Sequence, residues 1–401
     1  MQHKPFFKGS VMLRSIDQEK CIGCGSCYKA CSFDVYRLDT YQEKASPCSA
    51  ACPAGIDIRS YIHLLQQGRH ADAAAELLQY NPLPLFTSKV CPHFCEKTCT
   101  RKKIDAAVNV PAIEDYLGHW ILEHDPILPD ISRAGNIAVI GSGAAGLAAA
   151  YFMRLRGYSV VVYEKDETIG GQFRDTIPAD LLAAQIEWFK ACGIEFITGT
   201  AVGDNEAITV RGLRKGYTKA VIIATGKGTA EQFASVVDIV DGKIDADPDT
   251  LATRTNGVFA AGPVRGASHD PAHEIGDARE AAYSTNCYVD GWDMLESRPA
   301  KKREIAVMPT EKMFLYSEEL PIGNLPAAPR NEVSEGQIYN YETMSLEANR
   351  CVTCGAKSYA AYKNDCMTCY FCEIACPVDA IRVDPFKERL PRTIEFEREG
   401  V

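Results

Sequence analysis

The pattern of apolar and polar positions divides the chain into a helical region followed by an alternating region. Apolar residues recur at helical spacing over 58–65, 71–80 and 111–122. Farther along, short β-rich apolar runs at 137–140 and 159–163 alternate with helical stretches. Alternation of this kind predicts a parallel sheet with helices on its faces, so the fold class is α/β with a smaller helical domain before it.

Proline-rich and cysteine-rich stretches mark the boundaries of these regions. Prolines after residue 125 predict a linker, and 296–347 is rich in Pro, Glu and Asn, which is typical of an extended surface connector. Cysteine is dense before residue 46 and again after Leu346. We therefore predict five segments: cysteine-rich 1–45, helical 46–132, alternating 133–295, connector 296–347 and cysteine-rich 348–401.

A glycine fingerprint follows the first strand of the alternating region. Gly141-Ser142-Gly143-Ala144-Ala145-Gly146 opens the helix predicted for 144–156, and Glu164, with Lys165 beside it, ends the next strand. In such units the first glycine permits a tight turn, the second admits a pyrophosphate and the third brings helix against strand. The helix N-terminus then faces the phosphates, and the acidic residue accepts hydrogen bonds from a ribose. The pattern predicts a dinucleotide site.

Three later motifs resemble signatures of the two-dinucleotide-binding flavoproteins. They are the turn Gly170-Gly171-Gln172-Phe173-Arg174 and the strand ends Ala224-Thr225-Gly226 and Val258-Phe259-Ala260-Ala261-Gly262. The resemblance implies a Rossmann-type core that binds FAD rather than NAD. Members of that superfamily usually carry Asp after the last glycine, whereas this chain has Pro263. We expect the helix that begins near 273–276 to help secure the flavin instead.

A separate nicotinamide domain does not fit in the sequence. Members of the superfamily insert a second Rossmann domain before the closing motif, and one βαβ unit alone needs ~30 residues. Here only about thirty residues separate Gly226 from Val258, without a glycine fingerprint. Either NAD(H) or NADP(H) reacts directly at the flavin as a diffusible substrate, or the flavin exchanges electrons only with other centres.

Cysteine content points to metal or redox chemistry. The chain has 401 residues and 17 cysteines, of which all but Cys192 and Cys287 fall in three clusters. Net charge is −10, which argues against a nucleic-acid partner. No apolar run is long enough to span a bilayer, and the start has no signal core, so we expect a cytoplasmic protein without a membrane span. In a reducing compartment disulfides explain such clusters poorly.

Two cysteine runs have the spacing of bacterial ferredoxins. They are Cys21-x2-Cys24-x2-Cys27-x3-Cys31 and Cys366-x2-Cys369-x2-Cys372-x3-Cys376-Pro377. In two-cluster ferredoxins the fourth cysteine of each run ligates the other cluster. We therefore predict that both termini build one ferredoxin-like module, in which Cys376 joins the first three cysteines and Cys31 joins the last three. The alternative is that each run holds its own cluster.

The remaining cysteines resemble the iron–sulfur domain of the glutamate synthase small subunit, which recurs in dihydropyrimidine dehydrogenase. The motifs are Pro47-Cys48-x3-Cys52-Pro53-Ala54-Gly55, Val90-Cys91-Pro92-His93-Phe94-Cys95-x3-Cys99 and Val108-Asn109-Val110. That family places an Arg-Cys-x2-Cys-Gly motif just upstream. In this chain the motif lies near the other end, as Arg350-Cys351-Val352-Thr353-Cys354-Gly355, so we expect the tail to fold back and supply it.

The resemblance implies two further [4Fe–4S] clusters. One takes Cys48, Cys99, Cys351 and Cys354, and the other takes Cys52, Cys91, Cys95 and, at the aligned position, Glu114. Fifteen cysteines and one glutamate supply four ligands for each of four clusters. The alternative for Glu114 is a solvated helix residue, and His93 is expected beside a cluster or on the surface rather than as a ligand.

These features predict an oxidoreductase subunit that carries FAD and iron–sulfur clusters and transfers electrons. No catalytic bond-making group stands out in the sequence. We expect a catalytic redox partner in a larger hetero-oligomeric complex, by analogy a 2-oxoacid or aldehyde oxidoreductase, with a further ferredoxin-like subunit as an option. Two other interpretations are a thiol-redox or zinc protein and a glutamate synthase small subunit proper, which the missing nicotinamide domain weakens.

Overall fold

The structure, a computed structural model, describes residues 13–33, 35–296, 298, 304–307 and 341–384. These residues form two compact units. The terminal unit comprises 13–33, 35–42, 306–307 and 352–384, and the central unit comprises 43–296, 298, 304–305 and 341–351.

Short helices and strands follow one another along the described chain. The helices are α1 (Ser26–Ala30), α2 (Pro47–Ala51), α3 (Ile58–Gln66), α4 (His70–Leu78), α5 (Pro84–Val90), α6 (Phe94–Lys97), α7 (Val110–Leu122), α8 (Ala144–Arg154), α9 (Phe173–Thr176), α10 (Ala179–Ala191), α11 (Val210–Lys215), α12 (Pro271–Asp290), α13 (Tyr341–Asn349) and α14 (Phe371–Ala375). The strands are β1 (Leu13–Ile16), β2 (Tyr36–Asp39), β3 (Asn136–Ile140), β4 (Ser159–Tyr163), β5 (Ile194–Ile197), β6 (Thr218–Ile223), β7 (Asp238–Val240), β8 (Lys243–Asp245), β9 (Val258–Ala260), β10 (Lys357–Ala360) and β11 (Ile381–Val383). Single 3₁₀ turns occupy Thr100–Lys103, Ala230–Phe233, Gly262–Arg265 and Lys363–Asp365.

Both ends of the chain contribute to the terminal unit. Strand β1 pairs antiparallel with β11, and β2 pairs antiparallel with β10, so each small sheet joins one strand from either end. Leu13, Tyr36 and Ile381 are buried in its core. The prediction that the two termini build one ferredoxin-like module is therefore confirmed at the level of the fold.

The central unit contains a five-stranded parallel sheet in the order β5-β4-β3-β6-β9. Successive residues of β3 are buried in two different hydrophobic cores, because Ile137 and Val139 pack on one face while Ala138 and Ile140 pack on the other. A strand buried on both faces reads as a continuous apolar run, which is why the sequence pattern located it. Helices α8 and α12 cover one face together.

The helical part of the central unit contains three short helices that no helical spacing in the sequence marks, namely α2, α5 and α6. Pro84 occupies the first turn of α5, where a missing N–H costs nothing. Helix α7 begins after Asn109, whose side chain accepts a hydrogen bond from the Ala112 N–H at 3.1 Å. Its observed span agrees with the predicted helix at 111–122.

The connector predicted for 296–347 is shorter than expected at its end. Residues from Tyr341 onward form helix α13, because Met344 and Ala348 fall one turn apart and are buried against the central unit. Most of the predicted connector, 308–340, lies outside the described residues. Among the described helices, none combines the length and apolar character needed to cross a bilayer.

Candidate functional site

The glycine fingerprint forms a tight loop between β3 and α8. Gly141 has φ of 104°, and a Cβ there would lie 2.5 Å from the carbonyl oxygen of Ala224. A Cβ on Gly146 would lie 1.9 Å from the carbonyl oxygen of Gly141, so helix and strand touch at this point. By contrast, a Cβ on Gly143 would meet no described atom within 4 Å. The loop thus leaves open space where a pyrophosphate approaches the helix N-terminus in dinucleotide folds.

Glu164 lies at the end of β4 and closes this loop. Its carboxylate is buried and accepts hydrogen bonds from the Ser142 N–H at 3.0 Å and the Ser142 hydroxyl at 2.5 Å. Its other oxygen accepts the Asp166 N–H at 3.0 Å. The neighbouring Lys165 is exposed. Glu164 is therefore held at the position from which an acidic residue meets a ribose.

The Gly-Gly turn packs directly against the fingerprint loop. Gly171 has φ of 52°, and a Cβ there would lie 3.0 Å from the Cα of Gly143. Gln172 is directed inward and donates to Glu274 at 3.5 Å. Arg174 is directed to the surface instead, where it pairs with Asp166 at 2.6 Å. The two predicted side chains of this turn thus face opposite directions.

The two later motifs also reach the loop. Ala224 contacts Gly141, as described above, and Thr225 accepts a hydrogen bond from the Thr229 hydroxyl at 2.7 Å. A Cβ on Gly226 would meet no described atom within 4 Å. Gly262 has φ of 77°, and a Cβ there would lie 2.8 Å from that of Ala145. The motifs therefore surround the first turn of α8.

The corner that follows Gly262 receives its carboxylate from helix α12. Pro263 is buried in the 3₁₀ turn, and Asp277 accepts the Gly262 N–H at 2.9 Å. Arg265 pairs with the same carboxylate at 3.1 Å. Sequence reasoning named this helix but not Asp277. The signal that identifies it is the contact across the fold, not a motif.

A second acidic residue of α12, Glu274, lies in the stretch 273–276 that was expected to help secure the flavin. Only 3% of it is exposed, and His269 Nδ1 lies 3.0 Å from its carboxylate. Burial raises the pKa of Glu274 to about 7, and the nearby carboxylates of Asp270 and Asp277 contribute to the rise. A titratable group therefore lies beside the dinucleotide loop.

A separate cavity in the central unit is lined by three cysteines and one carboxylate. Its lining includes Cys52, Cys91, Cys95 and Glu114. His93 also lines it, and the buried His93 Nε2 has no hydrogen-bond partner among the described residues. Three thiols and one carboxylate around one cavity supply four ligand groups for a bound cluster, with the His93 ring beside them.

Glu114 is buried on α7 and is held in place from three sides. Its carboxylate accepts hydrogen bonds from the Tyr61 hydroxyl at 3.1 Å, the Thr87 hydroxyl at 3.2 Å and the Asn81 amide at 3.5 Å. Burial raises its pKa to about 7, although the hydrogen bonds from Tyr61 and Thr87 act in the opposite direction. Glu114 is thus not a solvated helix residue.

The four cysteines that the resemblance assigns to the other cluster lie in two units. Cys48, Cys99 and Cys351 pack against the core of the central unit, whereas Cys354 belongs to the terminal unit. Gln66 donates to the carbonyl oxygens of Ala348 and Cys351 at 2.8 and 3.1 Å, which fixes the end of α13. The ligand set of these four cysteines stays a prediction. Cys192 and Cys287, which lie outside the three clusters, are buried.

The terminal unit brings the two ferredoxin-like runs together. Cys21, Cys24, Cys27 and Cys376 line one cavity, so the last cysteine of the second run lies with the first three of the first run. Burial raises the pKa of Cys372, and the neighbouring Cys366, Cys31 and Cys369 add to the rise. Cys31 therefore lies with the second run. This grouping is the one expected if the runs exchange their fourth ligands.

Within the described part of the chain, no three His, Cys, Asp or Glu side chains converge as the ligands of a single metal ion. A zinc ion holds sulfur at about 2.3 Å, which crowds its thiolates around one point. The thiols described above line two cavities.

Three family models match parts of the chain. The model for dihydropyrimidine dehydrogenase domain II with its 4Fe-4S cluster matches residues 39–126, and the 4Fe-4S binding domain matches 14–37. The NAD(P)-binding Rossmann-like domain matches 139–186. The iron–sulfur character and the dinucleotide-binding, Rossmann-like core are therefore confirmed.

Curated relatives match about half of the chain. The β subunit of the NADPH-Fe(3+) oxidoreductase of Geobacter sulfurreducens strain DL-1 / KN400 is 32% identical over 207 residues, which are 48% of this chain and 30% of that protein. The β subunit of the NADP(+)-dependent formate dehydrogenase of Moorella thermoacetica is 30% identical, over 45% of this chain and 29% of that protein. The glutamate synthase [NADPH] small chain of Bacillus subtilis strain 168 is 30% identical, over 52% and 41%. The predicted resemblance is confirmed, and the chain spans less than half the length of these relatives.

Proposed function

We propose that this chain is an electron-transfer flavoprotein subunit that holds FAD and four [4Fe–4S] clusters. The observation that carries the proposal is the cavity of Cys52, Cys91, Cys95 and Glu114, which lies in the same unit as the dinucleotide loop. When bound, the flavin exchanges two electrons and each cluster exchanges one. The chain itself has to hold these groups, bury them and set their potentials.

The ligands of the terminal unit form two sets. One set is Cys21, Cys24, Cys27 and Cys376, supported by their common cavity. The other set is Cys31, Cys366, Cys369 and Cys372. It is supported by the electrostatic effect of the first three thiols, which raises the pKa of Cys372. In the central unit, Glu114 supplies an oxygen ligand, and its hydrogen bonds from Tyr61 and Thr87 fix the carboxylate for that role. The fourth set is that of Cys48, Cys99, Cys351 and Cys354.

The dinucleotide is FAD rather than NAD on this proposal. The Gly-Gly turn touches Gly143, and the closing motif touches Ala145, so three motifs typical of flavoproteins surround one loop. Asp277 orders the corner after Gly262, where the motif aspartate is missing, by accepting the Gly262 N–H. Glu164 holds the ribose. Each of these groups binds or orients the cofactor, and none makes or breaks a bond.

The electron partner approaches the terminal unit. Around the second cysteine run, Met367, Phe371 and Ile374 are 65%, 60% and 73% exposed, and Cys369 is exposed as well. An apolar patch next to a cluster ligand suits a redox protein that must come close to the cluster. Two of the relatives are by name β subunits, and the third is a small chain, which supports a role in a hetero-oligomeric complex.

The acceptor at the flavin is a nicotinamide. All three relatives carry NADPH or NADP(+) in their names. Every residue between Gly226 and Val258 is described, and they form a 3₁₀ turn and the β7–β8 hairpin rather than a βαβ unit. On this proposal NAD(H) or NADP(H) reacts directly at the flavin, without a domain of its own. The second candidate is a relay between flavin and clusters without nicotinamide chemistry, and the missing βαβ unit favours it.

Anaerobic metal and flavin analysis tests the proposal. We expect brown protein with roughly sixteen iron atoms per chain, four for each of four cubes, and one FAD. Zinc without iron, or the absence of flavin, would overturn it. Rapid mixing with NADH or NADPH then separates the two candidates, because loss of flavin absorbance shows hydride transfer and an unchanged spectrum shows an internal relay.

A further inference from the structure

Two buried hydroxyl groups in the terminal unit contact cysteine sulfur atoms. The Tyr36 hydroxyl donates to Cys372 Sγ at 3.0 Å. The Ser358 hydroxyl lies 3.1 Å from Cys27 Sγ. Tyr36 and Ser358 are only 1% and 2% exposed, so water does not compete for either contact. The two sulfurs belong to different ligand sets.

Both hydroxyls project from one face of the β2–β10 sheet. Tyr36 is opposite Ala360, and Ser358 is opposite Leu38, so Tyr36 and Ser358 are diagonal neighbours on the same side. Tyr359, the next residue along β10, projects to the other side and is 48% exposed. The sheet therefore presents one donor to each ligand set from a single surface.

Such donors act on the charge of a cluster. A thiolate that ligates iron has no proton, so the hydroxyl must donate and the sulfur must accept. Reduction adds negative charge to the cube and its sulfur ligands, which a donated hydrogen bond stabilises. Burial strengthens that effect because the surroundings are poorly polarisable. Removing the donor therefore lowers the reduction potential of the cluster concerned.

Ser358 makes a second contact with the same ligand set. Its backbone N–H donates to Cys21 Sγ at 3.4 Å, alongside the hydroxyl contact with Cys27. Replacing the side chain removes only the hydroxyl contact and leaves the backbone donor in place. The effect of Ser358→Ala thus isolates one hydrogen bond.

We propose that Tyr36 and Ser358 are positioning residues that set the potentials of the two clusters in the terminal unit separately. Tyr36 acts on the cluster of Cys31, Cys366, Cys369 and Cys372, and Ser358 acts on the cluster of Cys21, Cys24, Cys27 and Cys376. This inference rests on the proposed function, since it requires both clusters to be present.

Redox titration of the full chain, followed by electron paramagnetic resonance under anaerobic conditions, tests the inference. Tyr36→Phe keeps the ring in the core and is expected to lower one midpoint potential, whereas Ser358→Ala is expected to lower a different one. Tyr359→Phe, which removes a hydroxyl from the exposed face, is the matched control and leaves all potentials unchanged. Ser358→Thr keeps a hydroxyl, so this variant is expected to have the wild-type midpoint potential.

Two results would overturn the inference while leaving the proposed function intact. One is a Tyr36→Phe protein with full iron content and unchanged potentials. The other is a shift in the midpoint potential of one and the same cluster in both Tyr36→Phe and Ser358→Ala. If Tyr36→Phe failed to retain iron, the Ser358→Ala and Ser358→Thr pair would decide the matter on the other cluster. A wild-type protein without iron would instead overturn the proposed function itself.

Discussion

Arg350 Nη2 lies 3.0 Å from Asp105 Oδ1, although 245 positions separate the two residues along the chain. Arg101 pairs with the same carboxylate at 2.6 Å, and Arg350 also pairs with Glu347 at 2.6 Å. Burial alone would raise the pKa of Asp105, but Arg101 and Arg350 lower it to about 2. This network anchors the residue next to Cys351 in the central unit.

Replacing Arg350 by Ala should therefore loosen the end of α13. Removing one partner from a largely buried ion pair leaves the others uncompensated, and we expect a loss of about 2–3 kcal/mol in the free energy of unfolding. The iron content should fall by about a quarter, which corresponds to the loss of one of the four clusters. Arg254→Ala is the control, because Arg254 and Asp238 form a pair that is about half exposed on both sides. Anaerobic unfolding and iron analysis check both effects, and an Arg350→Ala protein with full iron would contradict the second.

Glu114→Ala should remove one cluster ligand. The other three proposed ligands of that cluster are thiols, so the variant is expected to lose roughly four of sixteen iron atoms. Glu123→Ala, an exposed glutamate just after the same helix, should retain all of them. Iron analysis together with electron paramagnetic resonance distinguishes the loss of one cube from general damage. Full iron content in Glu114→Ala would remove Glu114 from the ligands.

Gly143 and Gly146 should respond to alanine in opposite ways. A Cβ on Gly143 enters open space, so Gly143→Ala should leave stability within about 0.5 kcal/mol of wild type while flavin content falls sharply. A Cβ on Gly146 would lie 1.9 Å from a backbone oxygen, so Gly146→Ala should destabilise the fold by about 2–4 kcal/mol. Thermal unfolding and flavin release measure the two effects. Normal flavin binding by Gly143→Ala would show that the cofactor lies elsewhere.

Glu274 should make stability depend on pH. Burial raises its pKa from 4.5 to about 7, so the folded state favours the protonated form. As the pH rises from 4.5 through 7, the buried carboxylate ionises and destabilises the folded state by up to about 3 kcal/mol. Glu274→Gln should therefore raise the melting temperature at pH 8 more than at pH 5. An equal change at both pH values would show that Glu274 is ionised throughout.

Local sequence patterns predicted the elements whose own residues form a recognisable apolar run. Strand β4 has the expected bounds because its apolar run is continuous, and Cys376 lines one cavity with Cys21, Cys24 and Cys27. The features that were missed depend on distant contacts. Helix α13 has few apolar residues and is ordered by burying Met344 and Ala348, and Asp277 meets Gly262 only once α12 packs on the sheet. No motif encodes such contacts, because they arise from packing.

The joining of both chain ends in the terminal unit has a consequence for biosynthesis. Cys27 and its hydroxyl neighbour Ser358 are 331 positions apart, so a ribosome releases the first long before it makes the second. Domains that form from neighbouring residues fold while translation continues, whereas this unit has to wait for its last strand. Its early cysteines therefore wait for Cys376 before the ligand set proposed above is complete.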